Sequence, residues 1–282
     1  MFGSFLPSLR SSSNHSLLGS RSRHCYAIKS VSRQQLITPL ERSVQGRRFD
    51  HVFFSGMAWL MLATVFVGFA PSYYIAGMLH APLPSPVVHV HAIVFSLWIL
   101  VLIAQTGLAT AGQVRIHRRF GIAGFILALL LPVVGLWAAT EMLARRMPGP
   151  DPLGVYLVAT TNVVAFGVLI LFAFRARFDS AAHKRLVMIA STALMTAAIA
   201  RWRFDWSHLG REIHMSIQRA ECFSYIFILL LVTYDFWATR RIHRATIQGS
   251  AFLVIVHQFA LHFGQTAAWH NVAGWVQSLF RP

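Results

Sequence analysis

The chain has 282 residues, of which 56% are apolar and only 12% are charged, whereas a soluble domain carries about 25% charged residues. This composition excludes an ordinary soluble domain and indicates an integral membrane protein. A formal charge of +16 would suggest a nucleic-acid partner for a soluble protein, but here the basic residues lie between long apolar runs. They are therefore interpreted as topology signals, and no nucleic-acid partner is predicted.

The first fifty residues have a composition of their own. They contain no carboxylate before Glu41 and are rich in Ser and Arg. This pattern is typical of a mitochondrial transit peptide, but also of a disordered basic tail or an over-extended bacterial start. We predict a disordered extension at 1–50, a transmembrane helical domain at 51–270 and a C-terminal tail at 271–282.

Apolar runs of about 20 residues follow, each long enough to cross the bilayer core as a helix. The runs are apolar on every side, unlike the alternating strands of a membrane barrel. The sequence predicts an all-α polytopic transmembrane bundle of about seven spans, or six if 248–269 lies at the membrane interface. The predicted spans are 51–73, 86–110, 119–142, 153–174, 184–202, 219–239 and 248–269.

Lys and Arg are concentrated before the first span and in alternate loops, at 111–118, 175–183 and 240–247. The positive-inside rule places such segments on the cytoplasmic or matrix side of the membrane. We therefore predict a cytoplasmic N-terminus, and the lipid bilayer is the expected surrounding of the helices.

Polar residues at membrane depth are the natural candidates for function. In the second span, His91, Trp98, Gln105 and Gly112 recur every seven residues and therefore share one helical stripe. A functional interpretation makes His91 a ligand or proton carrier and Gln105 a hydrogen-bond donor. A packed seam between helices, with its polar members bonded to one another, is the alternative.

A second histidine, His262 in the seventh span, is predicted to lie at a depth similar to that of His91. Two imidazoles on different helices are what a b-type haem needs as axial ligands. The sharpest hypothesis is therefore haem b bound by His91 and His262, with Trp98 and Gln105 tuning the pocket for electron transfer. Satisfied polar residues in the bundle interior are the alternative.

Two basic clusters open predicted helices at the cytoplasmic side. Positive charge at a helix N-terminus opposes the helix dipole, so either positive-inside anchoring or a bound anion is expected there. The second hypothesis is thus a non-enzymatic transporter or an accessory subunit that binds anionic lipid, a solute or other membrane subunits. The clusters are His117-Arg118-Arg119 and His183-Lys184-Arg185.

The carboxylates of the sixth predicted span are expected to be structural. Glu221 begins that span, and Asp235 lies within reach of Arg240 or Arg241. Gly-rich phosphate loops, zinc motifs and nucleophile elbows are missing from the sequence, so no catalysis of the soluble type is indicated.

The combined spacing of these residues carries a resemblance. The stretch His91-x6-Trp98-x6-Gln105-x6-Gly112-x4-His117-Arg118-Arg119-x-Gly121, with the later His183-Lys184-Arg185-Leu186, resembles a family of uncharacterised bacterial multipass membrane proteins. The match covers about 85–205 and departs from the family pattern at Ala197, where proline is expected. It implies a bacterial inner membrane and no assigned reaction; the mitochondrial inner membrane is the alternative. A fainter similarity to multi-His membrane cytochromes rests on histidine number and helix placement.

Overall fold

The computed structural model describes residues 33–75, 85–145, 151–206 and 211–280. The chain divides into Met1–Arg42 and Ser43–Pro282, and the second unit holds the helical bundle. The described helices are α1 (Arg33–Phe69), α2 (Pro86–Thr110), α3 (Val114–Ala144), α4 (Pro152–Arg175), α5 (Ser180–Ile199), α6 (Ile217–Thr239), α7 (Arg244–Phe263) and α8 (Ala267–Ser278). A π-helical turn (Ala70–Tyr74) follows α1, a 3-10 turn (Ala176–Phe178) links α4 to α5, and β1 (Arg203–Trp206) pairs antiparallel with β2 (Arg211–His214).

Six of the described helical segments are long and apolar enough to cross a membrane. The prediction of an all-α polytopic bundle is therefore confirmed. The six segments are Phe49–Tyr74, Pro86–Thr110, Val114–Ala144, Pro152–Phe178, Ile217–Thr239 and Arg244–Phe263.

Of the seven predicted spans, the fifth, at 184–202, falls short of this standard; it corresponds to α5. Lys184 near its start pairs with Asp50 of α1, and the main chain of Ala198 near its end touches Gly68 of α1. The two helices are therefore parallel and lie side by side between these two contacts. Most of α5 is buried by its neighbours, so it needs less apolar surface than a lipid-facing helix.

Each helix from α2 to α6 packs on the next one in sequence, and α7 returns to pack against α4 and α5. The turns at 111–113, 176–179 and 240–243 lie at one end of this bundle, which we call the basic end. It is the end predicted to face the cytoplasm.

Short polar side chains fix several helix starts by accepting hydrogen bonds from free main-chain N–H groups. Asp151 accepts from the N–H of Gly154, and Asp179 accepts from those of Ala181 and Ala182. α5 consequently begins at Ser180, four residues before the predicted start of the fifth span.

The two ends of the chain differ from the predicted division. α1 begins at Arg33, inside the segment predicted to be a disordered extension, while 1–32 lies outside the described residues. At the other end, α7 stops at Phe263, and α8 occupies most of the predicted tail.

Helix α8 is held against the bundle by hydrogen bonds to main-chain oxygens near the end of α3 and the start of α4. Trp269 Nε1 donates to the main-chain oxygen of Leu153 at 2.7 Å, and Gln277 Nε2 donates to that of Leu143 at 2.8 Å. Thr266 caps the new helix by accepting from the N–H of Trp269. The apolar run that predicted a span at 248–269 is therefore divided between two helices.

Candidate functional site

A cavity of about 110 Å³ lies between α2, α3, α4 and α5 toward the basic end. We call it the imidazole cavity, because His117 and His183 both line it. Trp98 and Gln105, predicted from the seven-residue stripe, line it too. The other lining residues are Val101, Leu102, Gly121, Gly124, Phe125, Ala128, Ile170, Ala173, Phe174 and Val187.

His183 is positioned by the end of the preceding helix. Its Nδ1 donates to the main-chain oxygen of Ala173 at 2.8 Å, near the C-terminus of α4, where carbonyl groups lack helical partners. Since a carbonyl oxygen only accepts, the proton of the neutral imidazole is on Nδ1. The Nε2 lone pair is thus left for a ligand in the cavity.

His117 occupies the corresponding position in the preceding hairpin. Its Nδ1 lies 3.3 Å from the main-chain oxygen of Gln105, near the C-terminus of α2. Both histidines therefore place Nδ1 against a main-chain oxygen of the preceding helix, and at His117 the side-chain nitrogen of Gln105 also approaches Nδ1. Each anchors its ring to the helix it follows, and both rings meet at one cavity.

Gln105 ties α2 to the first turn of α3. In the orientation that satisfies its neighbours, its carboxamide oxygen accepts from the N–H of Gly121 at 2.8 Å, and its nitrogen donates to the main-chain oxygen of His117 at 3.2 Å. Gln105 thus positions the His117 backbone as well as lining the cavity.

The electrostatics of the cavity favour neutral imidazole. Burial lowers the pKa of His183, the hydrogen bond to Ala173 opposes that shift, and the nearby His117 adds to the lowering of the pKa. Two imidazoles at one small cavity therefore disfavour a double positive charge.

Trp98 closes the cavity at its deep end. Its side chain is 5% exposed, and Nε1 donates to Ser191 Oγ of α5 at 3.3 Å. Phe166 of α4 contacts the indole edge to face, with ring centroids 5.2 Å apart. The stripe residue Trp98 therefore faces protein, as the seven-residue spacing predicts.

The second basic cluster is engaged within the bundle. Lys184 pairs with Asp50, whose other oxygen accepts from Tyr234 Oη at 2.6 Å. Arg185 is buried against Asp235. Of the six residues predicted to bind an anion, only Arg118 and Arg119 have exposed side chains.

Asp235 has a different partner from the expected Arg240 or Arg241. Its Oδ1 accepts from Arg185 Nε at 2.9 Å, and its Oδ2 accepts from Thr246 Oγ1 at 2.6 Å. Arg240 and Arg241 are closer to Asp235 in sequence, but α5 packs beside α6 and brings Arg185 to the carboxylate.

The predicted haem ligands His91 and His262 lie on different helices, and no contact between them is seen among the described residues. His91 on α2 stacks on Phe95, with centroids 4.1 Å apart, and its buried Nδ1 has no hydrogen-bond partner. His262 is exposed on α7, and α2 and α7 are not major packing partners. Within the described ranges, no group of three or more His, Cys, Asp or Glu residues could hold a metal ion.

Several residues of the cavity had no place in the predicted site. Phe125 and Phe174 stack with centroids 3.9 Å apart and supply an apolar wall. A Cβ on Gly124 would lie 3.0 Å from Val101, so this glycine allows α3 to approach α2 closely. The Gly121-x-x-Gly124 spacing is the sequence feature from which this close approach of α3 to α2 could have been predicted.

Comparison with protein-family models, curated proteins and solved structures finds no match to this chain. The resemblance based on the spacing of His91, Trp98, Gln105 and His117 therefore stays a prediction, as does haem binding.

Proposed function

We propose that this integral membrane protein is a non-enzymatic carrier that binds a small solute in the imidazole cavity. The observation that carries the proposal is the meeting of His117 and His183, from two separate hairpins, at one partly open cavity between four helices. Polar groups that converge on an otherwise apolar cavity are the usual composition of a small-molecule site.

The cavity dimensions and its walls limit the class of solute. An apolar protein cavity of about 150 Å³ accommodates benzene, so about 110 Å³ suits a somewhat smaller molecule. Phe125 and Phe174 offer apolar contact, whereas imidazole Nε2 offers one hydrogen-bonding point. We infer that a short-chain monocarboxylic acid is the solute class.

Imidazole suits either form of that acid. Neutral His183 has Nε2 free to accept from a protonated carboxyl group, and imidazolium donates to a carboxylate. Arg118 and Arg119 are exposed at the same end of α3 and attract anions toward the basic end. These arginines are also the residues through which anionic lipid would be bound.

Calorimetric titration of the full chain in nanodiscs tests the proposal, with acetate, propionate and butyrate as probes. We expect saturable binding that weakens at least tenfold in His117→Gln and His183→Gln. His262→Gln is the matched control, because that imidazole is exposed and outside the cavity. Binding that is absent, or equal in all variants, would reject this solute site.

Haem-linked electron transfer is the second candidate. One observation favours His117 and His183 as the axial ligands in place of His91 and His262. His117 and His183 share a cavity, and an anchored Nδ1 is typical of histidines that bind metal through Nε2. A cavity of about 110 Å³ is far smaller than a porphyrin, so the helices would have to separate.

A reduced-minus-oxidised visible spectrum of the purified protein tests this candidate. Bands of b-type haem that disappear in His183→Ala but persist in His262→Ala would support ligation at the cavity. Bands that disappear in His91→Ala and His262→Ala would instead support the pair predicted from the sequence. A colourless preparation without iron would remove haem altogether.

A further inference from the structure

A second set of polar groups lies in the interior formed by α4, α5, α6 and α7, away from the imidazole cavity. Each of these helices contributes at least one buried side-chain atom that has no hydrogen-bond partner. In a membrane bundle such groups are costly and mark sites of function. The main members are Asn162, Thr196, Glu221 and His257.

Glu221 on α6 is the carboxyl-bearing member of this set, and its burial is the most costly. Its side chain is completely buried, and among the described residues only the side-chain amide of Asn162 offers a hydrogen bond to its carboxyl group. Ser224 Oγ donates to the main-chain oxygen of Glu221 at 2.7 Å, so it makes no hydrogen bond with the carboxyl group. The side chain of Asn162 lies next to that carboxyl group, and its own Oδ1 lacks a donor.

His257 on α7 is likewise completely buried, and both ring nitrogens lack partners. Its ring stacks on Tyr225 of α6, with centroids 5.6 Å apart and planes 21° from parallel. Tyr225 lies one helical turn after Glu221 on α6, so the stacked rings lie next to the carboxyl group along the helix.

The packing brings the members from α4, α5 and α7 to one level. Near the basic end, Gly249 of α7 faces Ile189 of α5. Both helices run away from that end, so His257 lies at about the level of Thr196. α4 and α7 are antiparallel, because Gly154 contacts Gly264 and Val158 clusters with Ala260, which brings Asn162 to the same level.

The unpartnered atoms share one chemical property. The carboxyl oxygens of Glu221 and Oδ1 of Asn162 only accept hydrogen bonds or coordinate cations, and the hydroxyl of Thr196 adds a further oxygen. Among the described residues Glu221 forms no ion pair, whereas Arg185, the buried cation of α5, is bound to Asp235. A positive ligand would satisfy this set, whereas an anion would not.

We propose that Glu221, Asn162 and Thr196 form a binding site for a monovalent cation, with His257 beside it. Oxygen atoms are the ligands that hard cations and protons prefer. The titratable groups beside this site on the packed helices are Tyr225 on α6 and His257 on α7. Cys222 follows Glu221 on α6 but is exposed, and α4 and α5 contribute none at this level among the described residues. The site is separate from the imidazole cavity and does not depend on solute binding there.

A ligand that binds only the folded state raises the unfolding midpoint, so thermal unfolding tests the site. The full chain is unfolded in detergent in sodium chloride, and in choline chloride at the same ionic strength, across a range of pH. We expect sodium ions or added protons to raise the wild-type midpoint relative to that of Glu221→Gln. A sodium response at fixed pH identifies Na⁺, and a response to pH alone identifies the proton.

Glu141→Gln is the matched control, because Glu141 is a partly exposed carboxylate paired with Arg145 near the end of α3. It should keep the wild-type response. Equal responses of wild type and Glu221→Gln to both ions would overturn the proposal. If Glu221→Gln fails to fold, infrared difference spectra of the wild type provide the second measurement: an ion-induced change in a carboxyl band supports the site, and its absence rejects it.

Discussion

Arg185 and Asp235 form an ion pair that joins α5 to α6 in a place from which water is excluded. Arg185 Nε donates to Asp235 Oδ1 at 2.9 Å, and the two side chains are 5% and 0% exposed. The second carboxylate oxygen accepts from Thr246 Oγ1 and from the N–H of His243, which adds α7 to the junction. Three helices are therefore fixed to each other through one carboxylate.

Loss of that carboxylate should be strongly destabilising. Asp235→Ala would leave the buried Arg185 without a counter-charge, and breaking a buried pair costs about 3–5 kcal/mol. Glu141→Ala is the control, because its partner Arg145 is largely exposed and such pairs contribute about 1 kcal/mol or less. Equilibrium unfolding in mixed detergent measures both. Similar losses in the two variants would contradict a dominant role for the buried pair.

The fold could be predicted from the sequence because the hydropathy of each apolar run does not depend on the other segments. A run such as 119–142 is apolar over more than the bilayer thickness, so its burial in lipid does not depend on its neighbours. α5 shows the limit of that reasoning. Its exposed surface is small because other helices cover it, so hydropathy alone undervalues it.

The sequence identified only some of the residues that line the imidazole cavity, because periodicity describes one helix at a time. Periodicity correctly placed Trp98 and Gln105 on a stripe that faces protein, because the angle between residues of one helix is fixed. It could not say which helix that stripe meets. The pairing of His91 with His262 stays a prediction, and the helices that line the cavity with α2 are α3, α4 and α5.

Two glycines of α1 should respond oppositely to the same substitution. A Cβ at Gly68 would collide with the main-chain oxygen of Ala198 on α5, whereas a Cβ at Gly56 would meet no atom within 4 Å. We expect Gly68→Ala to lose about 1–3 kcal/mol through overpacking. Gly56→Ala should be neutral, or up to about 1 kcal/mol more stable. Unfolding of both variants in detergent compares them, and equal stabilities would argue against close packing of α1 on α5.

Trp59 and Trp98 should differ in their access to lipid. Trp59 is 59% exposed in the middle of the α1 span, whereas Trp98 is 5% exposed in the bundle interior. In variants that retain one of these tryptophans, reconstitution with brominated lipid should quench the fluorescence of Trp59 strongly and that of Trp98 weakly. Strong quenching of Trp98 would mean that the stripe faces lipid and that the imidazole cavity is wrongly placed.

His183 should make the fold sensitive to acid. Because burial lowers its pKa in the folded state, the unfolded chain takes up a proton more readily. Stability should therefore fall as pH drops through the ordinary value of 6.5, and the contribution of His183 should be fully present only above it. His183→Gln retains a polar side chain but cannot titrate in this range.

The measurement is the difference in unfolding free energy between wild type and His183→Gln from about pH 8 to pH 5, a range chosen to bracket the ordinary histidine pKa. We expect that difference to shift toward the variant as pH falls, since only the wild type carries the cost of protonating or unburying this imidazole. His262→Gln, which changes an exposed imidazole outside the cavity, should show a smaller shift. A pH-independent difference for His183→Gln would show that His183 is not held neutral by its surroundings, and the electrostatic description of the imidazole cavity would then fail.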